Sequence, residues 1–167
     1  MVRNNLPEES KAPPHPDVNN DFLATYAKII LDSLLKLTGR QLIAGDLSPA
    51  ETARQLFHAP FVVLAHNTEV DPVLTYANQT AMQLFAMNWE QVVITPSRYT
   101  AETPERDHRQ QLLETVNRQG FIENYSGVRV SRDGRRFRIS DATVWNLTDK
   151  NGIYCGQAAS FDRWISL

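Results

Sequence analysis

The sequence predicts an α+β fold: a five-stranded antiparallel sheet with helices on one face, plus an N-terminal helical extension. Three observations carry this. Phe22, Tyr26, Ile29, Ile30, Leu34 and Leu37 recur at helical spacing. The β-branched run FVVLA at 61–65 is followed, across the polar turn HNTEVDP, by VLTYA at 73–77, which reads as its antiparallel partner. Asp133-Gly134 joins two long segments as a hairpin turn, since a type I′ turn needs φ > 0 at both central residues. A chain of 167 residues buries one substantial core, so one domain is expected.

Residues 1–19 contain Pro7, Pro13, Pro14 and Pro16 among polar residues, a composition expected to form a disordered tail. Residues 20–59 form an N-terminal extension of two helices, and 60–167 carry the sheet. The first helix, 21–38, can be capped by Asn20 or Asp21 and is followed by Gly39. Leu23, Leu31 and Leu35 widen its apolar stripe, which suits either a deeply buried helix or contact with a second copy of the chain. Ser48-Pro49-Ala50-Glu51 opens the second helix with a cap, a proline at the first position and a capping box. Asn78 caps a short helix that presents Ala81, Met82, Leu84 and Phe85. Thr103-Pro104 starts a longer helix that ends before Gly120, with Leu112, Leu113 and Val116 inward and His108 one turn below Leu112. Strands then follow at 121–132, 135–147 and 153–161.

If Asp133 and Gly134 are the whole loop, Arg132 faces Arg135 and every other pair follows. Val128 opposes Ile139 and Val130 opposes Phe137 on an inward face, while Arg129 opposes Arg138 and Ser131 opposes Arg136 on a solvated one. The arginines of this stretch then form the wet side of a half-buried hairpin rather than a nucleic-acid surface. Further along the inward face, Ser126 meets Asp141 and Asn124 meets Thr143, before Ile122 meets Trp145. Four polar groups on a core face each cost on the order of 1–3 kcal/mol unless bonded. Two arrangements satisfy them: a cavity that they line, or a β-bulge that turns them outward and brings Tyr125, Ala142 and Val144 inward.

Composition narrows the function. A formal net charge of −2 lacks the basic field that draws proteins to nucleic acid. The single cysteine, Cys155, excludes an intramolecular disulfide and a Cys-rich zinc site, and fits a reducing, cytoplasmic setting. No apolar run approaches the roughly 20 residues that cross a bilayer. His15, His58 and His66 form no metal-binding pair at helical spacing. The phosphate-binding glycine loops, the H-E-x-x-H helix and the G-x-S-x-G elbow are all missing, which leaves nucleotide-dependent and triad enzymes unsupported. An enzymatic alternative rests on Asp141 as a buried general base beside Asn124 and Tyr125.

The order of elements, the segment YANQTAMQLF and the hairpin SRDGRRFRI resemble a PAS domain. The segments PFVVLAHNTEVDPVLTYAN, PSRYTAE and QGFIENYSGVRVSRDGRRFRISDATVWNL are similar to the MEKHLA family of PAS-like domains, over residues 20–165, in its stand-alone bacterial form. The sequence contains no homeodomain, zipper or lipid-binding START region of the plant members, and DNA binding is not carried over. The resemblance implies a five-stranded antiparallel sheet that encloses a small-molecule pocket with its helices, in domains that sense ligands, light, oxygen or redox state and often dimerise. Blue-light flavin members need an adduct-forming cysteine in a motif resembling NCRFLQ; this chain has no cysteine before Cys155, so that photochemistry is rejected. Haem-binding members place a histidine on the long helix, where His108 lies.

The expected function is a non-enzymatic sensory or interaction module. Its small ligand would lie between sheet and long helix, oriented by Asn124, Ser126, Asp141 and Thr143 and walled by Tyr76, Phe85, Leu112, Phe137 and Trp145. The helix at 21–38 would mediate homodimerisation or cap the sheet, and a signalling partner would read the output. The alternatives are a dimerisation domain with a side-chain-filled pocket, the Asp141 enzyme, and a haem or Cys155 redox sensor. Neither membrane nor nucleic acid is an expected partner, and no cofactor is specified.

Overall fold

Apolar alternation and turn chemistry assemble one antiparallel sheet. The computed structural model describes residues 12–167, with the backbone alone for residues 103–105. Its strands are β1 (Val62–His66), β2 (Leu74–Ala77), β3 (Phe121–Val130), β4 (Arg136–Thr148), β5 (Tyr154–Phe161) and β6 (Arg163–Ser166). They lie in the order β2-β1-β5-β4-β3, and β6 pairs with Phe137–Ser140 of β4. The sixth strand exceeds the five expected: the chain leaves β5 at Asp162 and resumes pairing farther along the same edge of β4.

Helices cover both faces. α1 (Ala24–Thr38) and α2 (Pro49–Phe57) pack with Val63, Ala65, Tyr76, Trp145 and Leu147 on one side of the sheet. On the other side, α3 (Gln79–Phe85) and α5 (Thr103–Gln119) pack with Leu64, Tyr125, Phe137, Ile139 and Ala142. α4 (Trp89–Val92) closes the β2 edge, with Trp89 in the first core and Val92 in the second. α1 caps the sheet: the Trp145 indole N–H donates to Ile30 O (3.1 Å), and Ser33 Oγ accepts from Thr148 N (3.0 Å). The inner side of its wide apolar stripe is thereby used, and Leu35 stays 39% exposed on the outer side.

Of the tail expected at 1–19, residues 1–11 lie outside the described residues, and 12–19 are mostly exposed but touch the body of the protein at a few points. His15 meets the rings of Phe57 and Trp89 edge-on at 5.8 Å, Trp89 Nε1 donates to Pro13 O (2.8 Å), and Asp17 caps a 3₁₀ turn, Val18–Leu23. Prolines stiffen this segment, and two aromatic rings hold it. The long helix starts at Ala24 rather than 21 because Asp21, Phe22 and Leu23 all adopt left-handed φ of 53–56°. Ser48 and Asn78 cap α2 and α3 as their sequence positions predict.

The hairpin register differs from expectation by one residue. Ser131 N donates to Arg135 O (2.9 Å), so the loop is Arg132-Asp133-Gly134, with Gly134 at φ 85°. Such three-residue loops end in a left-handed glycine. Ser131 selects it: its hydroxyl donates to the Asp133 carboxylate and accepts from Arg135 N (3.1 Å). Consequently Arg129 pairs with Phe137 and Val128 with Arg138. The slip turns Arg129 from the wet face into the core beside Phe137.

Two compensating bulges follow. Asp141 (φ 54°) is the extra residue on β4 and Asn124 (φ 56°) on β3, and they bracket the pair Tyr125–Ala142. They bring Tyr125, Ala142 and Val144 to the α5 side of the sheet, and they resolve the polar belt in favour of the bulge. Asn124, Ser126 and Asp141 are exposed, and Asp141 pairs with Arg163 (3.4 Å). Thr143 is buried on the α1 side, where its hydroxyl accepts from Arg40 Nη1 (2.8 Å).

Candidate ligand site

Between α5 and the sheet lies a cavity of about 70 Å³. Leu64, Phe85, Leu112, Ile139 and Val144 supply its apolar wall, and His66, Ser97, Arg109, Tyr125, Arg129 and Gln157 its polar groups. The expected wall residues Phe85 and Leu112 line it. Phe137 packs behind, edge-on to Phe85 at 5.2 Å. Tyr76 and Trp145 lie on the opposite face with α1 and α2, because alternation along β2 and the bulge in β4 send them there. Asn124, Ser126, Asp141 and Thr143 do not reach the cavity, for the reasons given by the two bulges. With Asp141 exposed and paired, the buried carboxylate that the enzymatic alternative requires is not present.

Arg109 is not among the expected site residues, and Arg129 is expected on the solvated face beside Arg138, where only an anion lying across the two would give it a role. Arg109 lies on α5 in the run PERDHRQQL, whose charge reads as a solvated face, yet it is 8% exposed. Its Nη2 donates to Ser97 Oγ at 2.5 Å. Arg129, 7% exposed, donates from Nη1 to Val128 O (2.8 Å) and from Nη2 to Tyr125 Oη (2.9 Å). Gly127 makes this possible: a Cβ there would lie 2.6 Å from Tyr125 Oη and 3.2 Å from Arg129 Nη1. Burial, reinforced by the charge of Arg129, pushes the Arg109 pKa down to about 10. The Arg109 guanidinium still carries its charge at neutral pH.

His66 closes β1 at the cavity wall. Nδ1 lies 2.8 Å from Asn67 O, which places a proton on Nδ1, and the buried Nε2 has no partner in hydrogen-bond geometry among the described residues, Gln157 being its polar neighbour. Burial lowers its pKa to about 4, with the charge of Arg109 adding to the effect and the Asn67 carbonyl and Gln157 opposing it. The folded value is below the ordinary 6.5, so the unfolded chain binds more protons between the two and stability falls as pH falls through that window. The expected loss at pH 5 is about 2 kcal/mol. Urea unfolding at pH 7.5 and 5 measures it, and His66→Gln should remove that part of the pH dependence.

The residues of the other sensor alternatives, His108 and Cys155, do not line this cavity. His108 is exposed, its ring 6.1 Å from that of Tyr125, because Arg109, Leu112 and Leu113 take the inward positions of α5. The cavity, at about 70 Å³, is smaller than the roughly 150 Å³ that accommodates a benzene ring. Cys155 packs toward the α1 side, and burial followed by the charge of Asp149 raises its pKa, which opposes thiolate reactivity. Among the described residues, no cluster of His, Cys, Asp and Glu could hold a metal ion. Nor is any helix among them long and apolar enough to cross a membrane.

Comparison with solved structures agrees with the fold. A PAS domain from Colwellia psychrerythraea superposes with a TM-score of 0.58 at 13% identity, covering 68% of this chain and 94% of that one. The light-state dimer of the fungal blue-light photoreceptor Vivid gives 0.55 at 13%, covering 91% and 97%. An RNA-binding light-oxygen-voltage receptor gives 0.59 at 16%, covering 75% of this chain and 35% of that one. No curated protein matches. The sheet and its flanking helices are thus a PAS-like fold, and with the MEKHLA domain model matched over residues 24–166, the chain belongs to the MEKHLA domain family.

Proposed function

We propose that the protein is a non-enzymatic sensory module that holds a small molecule between the sheet and α5. The observation that supports this most is a cavity between α5 and the sheet, apolar over nearly all of its lining, with two buried guanidiniums, Arg109 and Arg129, among its bordering residues. The ligand is held by Arg109, Arg129, Ser97 and Tyr125 rather than by the belt of residues 124, 126, 141 and 143. α5 is the responding element. Its C-terminal half is tied to the sheet, where Asn146 Nδ2 donates to Val116 O (3.2 Å) and Gln157 Nε2 to Leu113 O (3.1 Å). Arg109 projects from its other half, so an occupant drawn to Arg109 shifts one end of the helix against a fixed one, and a signalling partner reads the change.

Native mass spectrometry of the purified protein, with a thermal-shift panel of charged and neutral metabolites, tests this. A retained small molecule or a saturable shift is expected; a bare chain that responds to no compound overturns the reading. A second reading, homodimerisation through α1, draws on the exposed Leu35 and on a structural relative described as a dimer. Sedimentation across a dilution series decides it, and a monomer at all concentrations removes it.

A further inference from the structure

We propose that the cavity binds a small carboxylate anion, gripped from opposite walls by Arg109 of α5 and Arg129 of β3. The inference rests on the ligand-site reading above and names the chemistry of the occupant. Five surface arginines of this chain meet carboxylates, Arg54 with Glu51, Arg98 with Asp71, Arg135 with Asp133, Arg136 with Glu102 and Arg163 with Asp141, while exposed Arg118, Arg132 and Arg138 face solvent. The two buried ones meet none: among the described residues neither Arg109 nor Arg129 forms an ion pair, and Asp71, whose charge reaches Arg109, is engaged by Arg98 at 3.1 Å. Burial is where a cation most needs a partner, because low dielectric strengthens both the desolvation penalty and the attraction of a counter-ion.

The hydrogen bonds point the same way. Arg109 gives one N–H to Ser97 Oγ, and its remaining N–H groups find no acceptor among the described residues. Arg129 gives one to Val128 O and one to Tyr125 Oη, and has others left over. A guanidinium is a planar fork of donors with no acceptor, matched by the two oxygens of a carboxylate. Gly127 is the sequence device that admits the Tyr125–Arg129 pair, since any larger residue would place Cβ against both. The volume of about 70 Å³ limits the occupant to a few non-hydrogen atoms, and Leu64, Phe85, Leu112 and Ile139 offer a dry surface for a short hydrocarbon portion.

Differential scanning fluorimetry of the full chain reads this, with sodium acetate, lactate and pyruvate as probes. Sodium chloride at equal ionic strength and acetamide, the neutral isostere of acetate, are the comparisons. At least one carboxylate should raise Tm by on the order of 5 °C near saturation, with chloride and acetamide without effect. Arg109→Met and Arg129→Met should each abolish the shift and each raise the Tm of the unliganded protein, because each removes an uncompensated buried charge. If one variant does not fold, the other carries the test. An equal shift with chloride or acetamide, a shift retained in the folded variants, or no shift with any of the three carboxylates overturns the anion assignment. A neutral molecule retained in native mass spectrometry would then leave the ligand site standing; a bare chain with no response to any compound removes both.

Discussion

Asn78→Asp should lower the melting temperature by about 10 °C, although the two side chains have the same shape. Asn78 is fully buried where β2 meets α3, and it satisfies four backbone groups at once. Its Oδ1 accepts from Val63 N and Ala81 N, both at 3.1 Å, and its Nδ2 donates to Leu56 O (3.1 Å) and Phe61 O (2.7 Å). One amide therefore caps α3 and pins the end of α2 to the start of β1. Aspartate keeps the acceptor and puts a second negative oxygen against two carbonyls. The loss of two donors to buried carbonyls, with a buried charge added, costs about 4 kcal/mol, and each kcal/mol moves Tm by about 2–4 °C in a chain of this size. Thermal and urea unfolding by circular dichroism measure it. The deficit relative to wild type should narrow as pH falls, because the protonated acid regains a donor. A variant within about 1 kcal/mol of wild type would mean that Nδ2 is not engaged.

Gly156→Ala should be comparably damaging. Gly156 sits at φ 153° in β5, opposite Leu147, where the pairing skips Cys155 and resumes at Tyr154–Thr148. A Cβ built there lies 2.1 Å from His66 O, a backbone atom at the end of β1. Backbone does not yield as a side-chain tip does, so β1 must separate from β5 or β5 must lose its twist. The cost is about 3 kcal/mol or more. Gly152→Ala is the control: φ is 75° and no atom lies within 4 Å of the added Cβ, so only backbone strain of about 1 kcal/mol remains. Hydrogen exchange should show the difference as faster exchange at residues 62–66 and 157–161 in Gly156→Ala alone. Because His66 ends β1 at the cavity wall, the same variant should also weaken any ligand response.

Caps, strands and the hairpin's location were legible because each depends on a few neighbouring residues. Ser48 and Asn78 bond backbone groups three residues away, and FVVLA is a continuous apolar run that reads as a strand buried on both faces with no long-range help. The register of the hairpin was not legible from Asp133-Gly134 alone. Ser131, through bonds to Asp133 and Arg135, chooses a three-residue loop, and a shift of one residue reverses the faces of a whole strand. One signal for the bulges was present: Asn124 and Asp141 are of the residue types that most readily accept left-handed φ. The charge pattern of α5 concealed Arg109, since a charged run is ordinarily a solvated face.

By itself the sequence determined the class of fold, the starts of α2 and α3 and the position of the hairpin turn, which follow from local propensity and short-range hydrogen bonding, and its quoted segments carried the resemblance to a PAS-like family. Only the tertiary structure decided which residues face the cavity. That choice depends on strand register, on two opposed bulges and on α5 lying over the sheet, so a residue's side of the sheet is set by partners distant in sequence. Arg129 shows the reason most plainly. Alternation makes it a solvent-facing residue in one register and a buried cation in the next, and the difference is a single peptide unit in the turn.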